Sequence, residues 1–204
     1  MRKKQSWSDF WLLTVRFEII LIECEILNLI NTDLLIRKAN IEDAAAVMAL
    51  IRRAMTVYAR NSGISSQLES LEESLEDITA SIWNHYVMIA ENRDGIVGTV
   101  RLILPASNEL PDSCQSLDPS ETAWFSRFAV MPELQAVGAG RLLYQAAESY
   151  LEDKGIKNVL LYTALSNQRL VDFYQSRDFK LLSSENNRGY TRGLFFQVLQ
   201  PIDT

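Results

Sequence analysis

The sequence predicts a mixed α/β fold in which helices pack on the faces of a single sheet. Segments of β-strand composition and segments of helical periodicity follow one another in the order β-α-α-β-β-β-α-β-α-β-β. No repeat, low-complexity tract or linker divides residues 34–204. Apolar residues make up 48% of the 204 residues and charged residues 23%, which supplies a core and excludes a disordered chain, a collagen-like rod and a disulfide scaffold.

Residues 34–83 are predicted to contain the first strand and two helices. Leu34–Arg37 is a short apolar strand, and Asn40 with Asp43 has the spacing of a capping box. The periodicity then predicts one helix from about Ile41 to Arg60 and a second from about Ser66 to Trp83. The second helix has an acidic face, which either is solvated or attracts a cationic ligand: Glu69, Glu72, Glu73, Glu76 and Asp77.

A hairpin and a long loop come next. β-rich runs at Tyr86–Glu91 and Ile96–Leu104 flank an Asp-Gly pair that is typical of a tight turn. Pro105–Thr122 has three prolines and is unusually long for a loop in a compact domain, which makes it a candidate binding lip. Ala123–Val130 is predicted to be a strand that ends before Pro132, because proline cannot serve a central ladder.

The last third of the sequence contains the pattern of two further βα units and a final strand pair. The predicted elements are a helix from about Gly138 to Lys154 that stops at Gly155, a strand over Asn158–Thr163, a helix from about Asn167 to Ser176, and strands over Phe179–Ser183 and Thr191–Gln200.

Residues 1–33 differ from the rest of the chain. A basic start precedes the apolar stretch from Phe10 to Ile30, which four ionisable residues interrupt: Arg16, Glu18, Glu23 and Glu25. Each ion at bilayer depth costs about 2.5–3.5 kcal/mol, which argues against a membrane span, and no cleavage site follows an unbroken apolar core. We expect a helical N-terminal extension that packs on the domain or on a partner subunit; a start site placed too far upstream is the alternative.

Charge and cysteine content narrow the possible partners. Twenty basic and 26 acidic residues give a formal net charge of −6. Nucleic-acid binding depends on clustered Lys and Arg, so we expect no nucleic-acid partner. Cys24 and Cys114 fit no metal-ligand or disulfide spacing, and the single histidine, His85, has no partner at metal spacing. We therefore expect no metal and no membrane association, with the protein in the reducing cytoplasm.

The segment 125–141, FSRFAVMPELQAVGAGR, is the most informative part of the chain. A strand runs into a turn that contains Gly138 and Gly140, and a helix begins at once. Glycines let backbone N–H groups approach an anion closely, and a helix start adds unpaired donors and about half a positive charge. The pattern predicts a phosphate or pyrophosphate site, with a simple helix-capping turn as the structural alternative.

Two common phosphate-binding motifs do not fit this turn. A P-loop needs Lys-Ser or Lys-Thr after the second glycine, where this chain has Arg141 and Leu142. A dinucleotide fingerprint needs a small residue where Leu143 stands and an acidic residue about 20 positions on, and Val159–Tyr162 has none. The pyrophosphate of coenzyme A is the remaining ligand of this kind.

Two consecutive stretches agree with that ligand: Phe128-Ala129-Val130-x-Pro132 and Gln135-x-x-Gly138-x-Gly140. Together they resemble the acyl-CoA-binding motif of the GNAT superfamily of N-acetyltransferases. The resemblance covers about Leu34 to Gln200 and continues through Ser166-Asn167, Phe173-Tyr174 and Phe179. It implies a GNAT-like acyl-CoA N-acyltransferase domain over residues 34–204, with a mixed, mostly antiparallel central sheet of about seven strands flanked by about four helices.

The resemblance also implies site residues. Tyr174 matches the tyrosine that protonates the departing thiolate, and the Val130 N–H is expected to polarise the thioester carbonyl. The implied acyl-CoA-binding residues are Phe128, Ala129, Val130, Gln135, Ala136, Val137, Gly138, Ala139, Gly140, Arg141 and Asn167. The implied reaction moves acetyl from acetyl-CoA, as co-substrate, to a primary amine on a small molecule or a protein, by direct attack in a ternary complex and without a metal. A homodimer is also implied.

Several positions depart from the family pattern. Basic residues are common in the family where Ala136 and Val137 stand, so charge support for the pyrophosphate depends on backbone amides and Arg141. Tyr162 and the neighbourhood of Trp124 lack the catalytic glutamate that some members place there. Glu121 is the nearest carboxylate in sequence, and a water chain is an equal candidate for the base. A non-catalytic acyl-CoA-binding or regulatory module therefore stays open as the alternative function.

Overall fold

The computed structural model describes residues 34–66, 68–106 and 110–199. The predicted extension over residues 1–33 lies outside the described residues. Seven strands are present: β1 Leu35–Lys38, β2 Tyr86–Asn92, β3 Gly95–Ile103, β4 Thr122–Val130, β5 Asn158–Ala164, β6 Lys180–Glu185 and β7 Arg192–Val198. They form one sheet in the order β1-β2-β3-β4-β5-β7-β6, and every neighbouring pair is antiparallel except β4 and β5. The predicted mixed, mostly antiparallel seven-stranded sheet is confirmed.

Five α-helices connect and cover the strands: α1 Ala44–Asn61, α2 Glu69–Glu72, α3 Leu75–Asn84, α4 Ala139–Asp153 and α5 Gln168–Gln175. Successive residues of β2 face opposite layers. Val87 and Ile89 pack in one apolar cluster with residues of α1 and α3. On the other layer, Leu143 of α4 lies over Gly98 and Ala90. The sheet is therefore covered by helices on both faces.

The predicted capping box is present, but the predicted second helix is wrong as one element. Asn40 Oδ1 accepts a hydrogen bond from the Asp43 N–H, and the Asp43 carboxylate accepts one from the Asn40 N–H. The segment from Ser66 to Trp83 instead forms α2 and α3, because Glu73 takes extended backbone with ψ 124°. Ser74 then caps α3 through a second capping box with Asp77. This break gives five helices instead of the expected four.

The break at Glu73 is held by two arginines from the sheet. The Glu73 carboxylate accepts from Arg101 Nη1 at 2.9 Å and from Arg127 Nε at 2.9 Å and Nη2 at 3.2 Å. The Glu73 and Arg101 side chains are only 14% and 11% exposed. Glu73 is thus a largely buried ion-pair partner, so for this residue the alternative of a solvated acidic face does not hold.

Glu73 is expected to contribute strongly to stability. Burial raises the pKa of its carboxyl, but hydrogen bonds from Arg127 and Arg101 outweigh burial and hold the pKa below the ordinary 4.5. Glu73→Gln leaves two guanidinium groups without a counter-charge, and we expect a loss of about 3 kcal/mol in the free energy of unfolding at pH 7, measured in urea. The exposed Glu76→Gln is the matched control and should change it by less than about 0.5 kcal/mol.

The same pair predicts a pH dependence. A carboxyl with a lowered pKa in the folded protein stabilises fully above its unfolded value and loses that contribution as the pH falls through the folded value. The stability difference between wild type and Glu73→Gln should therefore shrink as the pH falls below about 4. Equal stability of the two proteins at pH 7 would contradict the role given to this ion pair.

The strands β4 and β5 separate part-way along the sheet. They pair only where Thr122–Trp124 faces Asn158–Leu160, although β4 continues to Val130 and β5 to Ala164. Before its end β4 also contains a bulge, at which the register to β3 shifts and Arg127 has φ 51°. The diverging strand ends leave a cleft in the middle of the sheet, directly before the glycine turn.

Candidate active site

Two adjoining cavities lie at the cleft. The larger has a volume of about 580 Å³ and the smaller about 140 Å³. Four residues line both cavities and so mark their junction: Met55, Tyr58, Phe128 and Leu170. The larger volume is in the range of small-molecule sites. The two cavities therefore meet at this junction, where ligands bound in each would lie side by side.

The smaller cavity collects six of the predicted acyl-CoA-binding residues. Its lining includes Phe128, Ala129, Val130, Gln135, Gly140 and Asn167. Gln135 is fixed against the strand end, because its Nε2 donates to the Val130 carbonyl at 3.2 Å. A Cβ at Gly140 would lie 3.5 Å from both Phe128 Cζ and Val130 Cγ2, so Gly140 packs directly beside the strand end in this wall. A narrow cavity with a mostly apolar lining fits an extended arm such as pantetheine.

The glycine turn has the geometry of an anion site. Ala136 and Val137 end a 3₁₀ helix over Pro132–Val137, and Gly138 follows with φ 86° and acts as the N-cap of α4. The first intrahelical acceptor is the Gly138 carbonyl, which accepts from the Leu142 N–H at 3.1 Å. The N–H groups of Ala139, Gly140 and Arg141 precede that bond and have no acceptor within the helix. They can donate to a diphosphate.

A second arginine near this turn was missed by sequence analysis. The Arg177 guanidinium lies 3.6 Å from the Phe173 ring centroid, and its Nη1 donates to the Phe173 carbonyl at 2.7 Å. Burial lowers the pKa of Arg177, and the positive charge of the exposed Arg141 is among the further causes that lower it. The two guanidinium groups are thus close enough to interact. Nothing local in the sequence marks Arg177; the next residue, Asp178, adopts a left-handed backbone with φ 62°.

Asn167 lies where it was predicted, but its side chain already has protein partners. Its Oδ1 accepts from the Leu170 N–H at 3.3 Å and so caps α5. Its Nδ2 donates to Ser62 Oγ at 3.0 Å. Because an amide nitrogen carries two hydrogens, one donor of Asn167 remains for a ligand in the smaller cavity.

Tyr174 lies in the wall of the larger cavity. The residue is 5% exposed, and its ring makes edge-on contacts with Phe125, Phe173 and Phe179. Its hydroxyl has no hydrogen-bond partner among the described residues. Burial, with a smaller effect of Tyr58, raises the pKa of Tyr174 far above its ordinary value. The phenol is therefore neutral at physiological pH and free to donate a hydrogen bond to a ligand.

Tyr58 lies in the predicted first helix, which gave it no separate role, but it occupies the junction. Its hydroxyl accepts from the Ala164 N–H of β5 at 2.7 Å and lies 3.5 Å from Thr163 Oγ1. Burial raises the pKa of Tyr58. This role of Tyr58 has no local sequence signal, because the N–H that its hydroxyl accepts from is 106 residues away.

The larger cavity has a cationic and aromatic lining. Among the described residues that line it, the charged ones are Arg127, Arg188, Arg192 and one carboxylate, Glu69, which pairs with Arg188. Tyr162 stacks on Trp124 with centroids 5.7 Å apart, and the Arg192 guanidinium lies 4.1 Å from the centroid of the Tyr162 ring. The two positions at which some family members carry a glutamate thus hold a stacked aromatic pair.

Other residues that the sequence singled out lie outside the cavities. Glu121 pairs with Lys157 Nζ at 2.6 Å and lines neither cavity, so it is not a base at this site. None of the described residues of 105–122 lines a cavity; Ala106, Leu110 and Cys114 instead cover Leu160 and Leu194, so the prediction of a binding lip is wrong for these residues. Burial raises the pKa of Cys114, and His85 borders neither cavity.

Comparison with known proteins decides the family. The family model described as Acetyltransferase (GNAT) family matches residues 48–179. The chain belongs to the GNAT acetyltransferase family. The match spans α1 to the start of the final strand pair and includes the cleft, the glycine turn and Tyr174. A search of curated proteins finds no match to this GNAT protein.

Solved GNAT structures have the same fold at low sequence identity. The PaiA N-acetyltransferase from Thermoplasma acidophilum, in complex with coenzyme A, is 20% identical over 81% of this chain and 98% of its own, with a TM-score of 0.62. YncA from Salmonella typhimurium, solved with its cofactor acetyl-CoA, is 15% identical over 84% of this chain and 97% of its own, also with a TM-score of 0.62. A GNAT-family acetyltransferase from Streptococcus pneumoniae is 18% identical over 82% of this chain and 100% of its own, with a TM-score of 0.61.

The described part of this GNAT protein holds neither a spanning helix nor a metal-type cluster. Among the described helices, none is both long and apolar enough to span a membrane. Among the described residues, no group of three or more His, Cys, Asp or Glu side chains has an arrangement suited to a metal ion.

Proposed function

We propose that this GNAT protein transfers acetyl from acetyl-CoA to a primary amine by direct attack in a ternary complex. The observation that carries the proposal is the pair of adjoining cavities at the β4–β5 cleft. The smaller cavity leads from the glycine turn to the junction, and Tyr174 and the polar groups of the larger cavity lie beyond it. Such an arrangement holds both substrates at once, as direct transfer requires.

The residues around the smaller cavity fit acetyl-CoA. The N-terminal amides of α4, with Arg141 and Arg177 nearby, would hold the diphosphate, and the strand end Phe128–Val130 would hold the pantetheine arm. When bound, acetyl-CoA supplies a thioester: a bond from the acceptor nitrogen to the carbonyl carbon forms, the carbon–sulfur bond breaks and the thiolate leaves. The Val130 N–H is the proposed donor to the carbonyl oxygen, a contact worth about 2.7–4 kcal/mol in other acyl-transfer enzymes.

Tyr174 is the proposed donor to the leaving sulfur. The raised pKa of its phenol makes complete loss of the proton unfavourable. Tyr174 therefore keeps its proton and stabilises the developing thiolate by a hydrogen bond. The proton that finally reaches the sulfur is the one that the attacking nitrogen loses as the new carbon–nitrogen bond forms. Glu69, the only carboxylate among the lining residues, is paired with Arg188. Water in the larger cavity is then the proposed acceptor of the proton of an incoming ammonium group.

A second candidate function is an acyl-CoA-binding regulatory module without catalytic activity. The observation that favours it is that the described residues around the larger cavity include no unpaired carboxylate. One experiment distinguishes the transferase from the regulatory module: purified protein is incubated with acetyl-CoA and an amine library, and acetylated products are sought without a preselected target. We expect acetylated product and stoichiometric free CoA. CoA binding without any product would establish the module. The cytoplasmic location and the homodimer stay predictions.

A further inference from the structure

We infer that the acceptor carries a carboxylate as well as its amine, so that the larger cavity selects amino carboxylates over polycationic amines. This inference rests on the proposed function and deepens it. It starts from the charges around the larger cavity, where three arginines face a single carboxylate.

The ion pairs around this cavity leave an excess of positive charge. Arg188 pairs with Glu69, and Arg192 pairs with Glu185. Glu73, however, is shared between Arg127 and Arg101, so two guanidinium groups make direct ion pairs with one carboxylate, and Asp77 acts on Arg101 without a direct contact. A second anion is therefore accommodated electrostatically, whereas a polyamine would meet cations from several sides.

Arg192 has the geometry of a carboxylate receptor. Its Nε donates to Glu185, its side chain is 15% exposed, and its guanidinium carbon lies 4.1 Å from the centroid of the Tyr162 ring. Its Nη1 and Nη2 donate to no other described residue. Because a guanidinium group is a rigid fork of five donors, these two nitrogens match the two oxygens of a carboxylate.

The strand register places Arg192 beside the junction. Arg192 lies opposite Ala164 on β5, and the Ala164 N–H donates to the hydroxyl of Tyr58, which lines both cavities. The charge of Arg192 also acts on Tyr58, whose pKa it lowers against the larger effect of burial. A carboxylate held by Arg192 thus leaves an amine a few bonds away at the place where the two cavities meet.

The test uses matched acceptors. Amino carboxylates with two, three or five carbons between the amine and the carboxylate are compared with the corresponding carboxamides and with a linear polyamine, at equal concentrations of free amine. We expect kcat/KM to be at least tenfold higher for the carboxylate at one or more of these lengths. Arg192→Gln should reduce that preference to within twofold, mainly through KM.

Two further variants keep the test decisive. Arg188→Gln changes a more exposed arginine of the same cavity and should reduce the preference even if Arg192→Gln does not fold. Arg60→Gln removes an exposed arginine that lines neither cavity and should leave the preference unchanged. Equal rates for carboxylates and carboxamides, faster acetylation of the polyamine, or an unaltered preference in both cavity variants would overturn the inference.

A binding measurement separates this inference from the proposed reaction. Saturation-transfer NMR without acetyl-CoA compares each carboxylate with its carboxamide on wild-type protein and on Arg192→Gln. Preferential carboxylate binding that is lost in the variant supports the anion site even if no product forms, and the absence of product then counts only against the transferase. Equal binding of both members of every pair overturns the anion site.

Discussion

Gly138→Glu should abolish CoA binding. Gly138 has φ 86° at the N-terminus of α4, where the predicted diphosphate cradle begins. A glutamate there places a negative charge and a side chain against the N–H groups that would donate to the diphosphate, and the repulsion acts at the most anionic part of the ligand. Calorimetric titration with CoA should show a loss of affinity of at least about a hundredfold, equivalent to about 2.7 kcal/mol.

The same helix offers a matched control. Gly155 follows the C-terminus of α4 with φ 73°, and a Cβ there would meet open space. Gly155→Glu therefore carries the same change in charge and the same left-handed strain, about 1–2 kcal/mol. The affinity of Gly155→Glu for CoA should stay within about twofold of that of the wild type, and the two variants should have similar stability in thermal unfolding. A folded Gly138→Glu protein that still binds CoA would remove the glycine turn from the site.

Tyr174→Phe should lower kcat by about a hundredfold or more while CoA affinity stays within about twofold. General acid groups contribute about 10²–10⁴ in rate, and the lower end applies to a phenol that donates a hydrogen bond without losing its proton. The Tyr174 hydroxyl has no partner among the described residues, so its removal breaks no described hydrogen bond. The phenyl ring keeps its edge-on contacts with Phe125, Phe173 and Phe179. The loss should therefore appear in turnover and not in stability.

Tyr150→Phe serves as the comparison for this variant. Tyr150 lies on α4, stacks on Tyr86 with ring centroids 3.6 Å apart and lines neither cavity. Its change removes one phenol hydroxyl of the same kind without altering the cleft, so kcat should be unchanged. If Tyr174→Phe and Tyr150→Phe turn over acceptor at the same rate, the hydroxyl of Tyr174 has no part in the reaction.

Most of the secondary structure could be predicted because its signals are local. The capping box at Asn40, the Asp-Gly hairpin turn and the stop of α4 at Gly155 each depend on residues within a few positions of one another. The glycine turn at Gly138 was found for the same reason. The break at Glu73 was missed although Ser74 and Asp77 form a local capping box directly after it. The arginines that hold Glu73, Arg101 and Arg127, lie 28 and 54 residues away and gave no local signal.

The cavities themselves could be predicted only in part. The resemblance to the GNAT motif identified the strand end, the turn and Tyr174 as candidates, and the structure brings six of the eleven predicted binding residues into one lining. The residues that set the charge of the larger cavity had no local signal. Arg188 and Arg192 were predicted only as part of a final strand pair, and the long proline-containing loop covers the sheet instead of bordering the site.

By itself, the sequence determined the order of elements, the glycine turn and the family. The reason is that periodicity, turn residues and motif spacing each depend on residues that are close together in the sequence. Only the tertiary structure decided where β4 and β5 part, that Tyr58 meets Ala164 at the junction, and that arginines from β4, β7 and the loop before β7 surround one cavity. The physical reason is that strand pairing between distant segments fixes which side chains become neighbours, and charge selectivity depends on those neighbours.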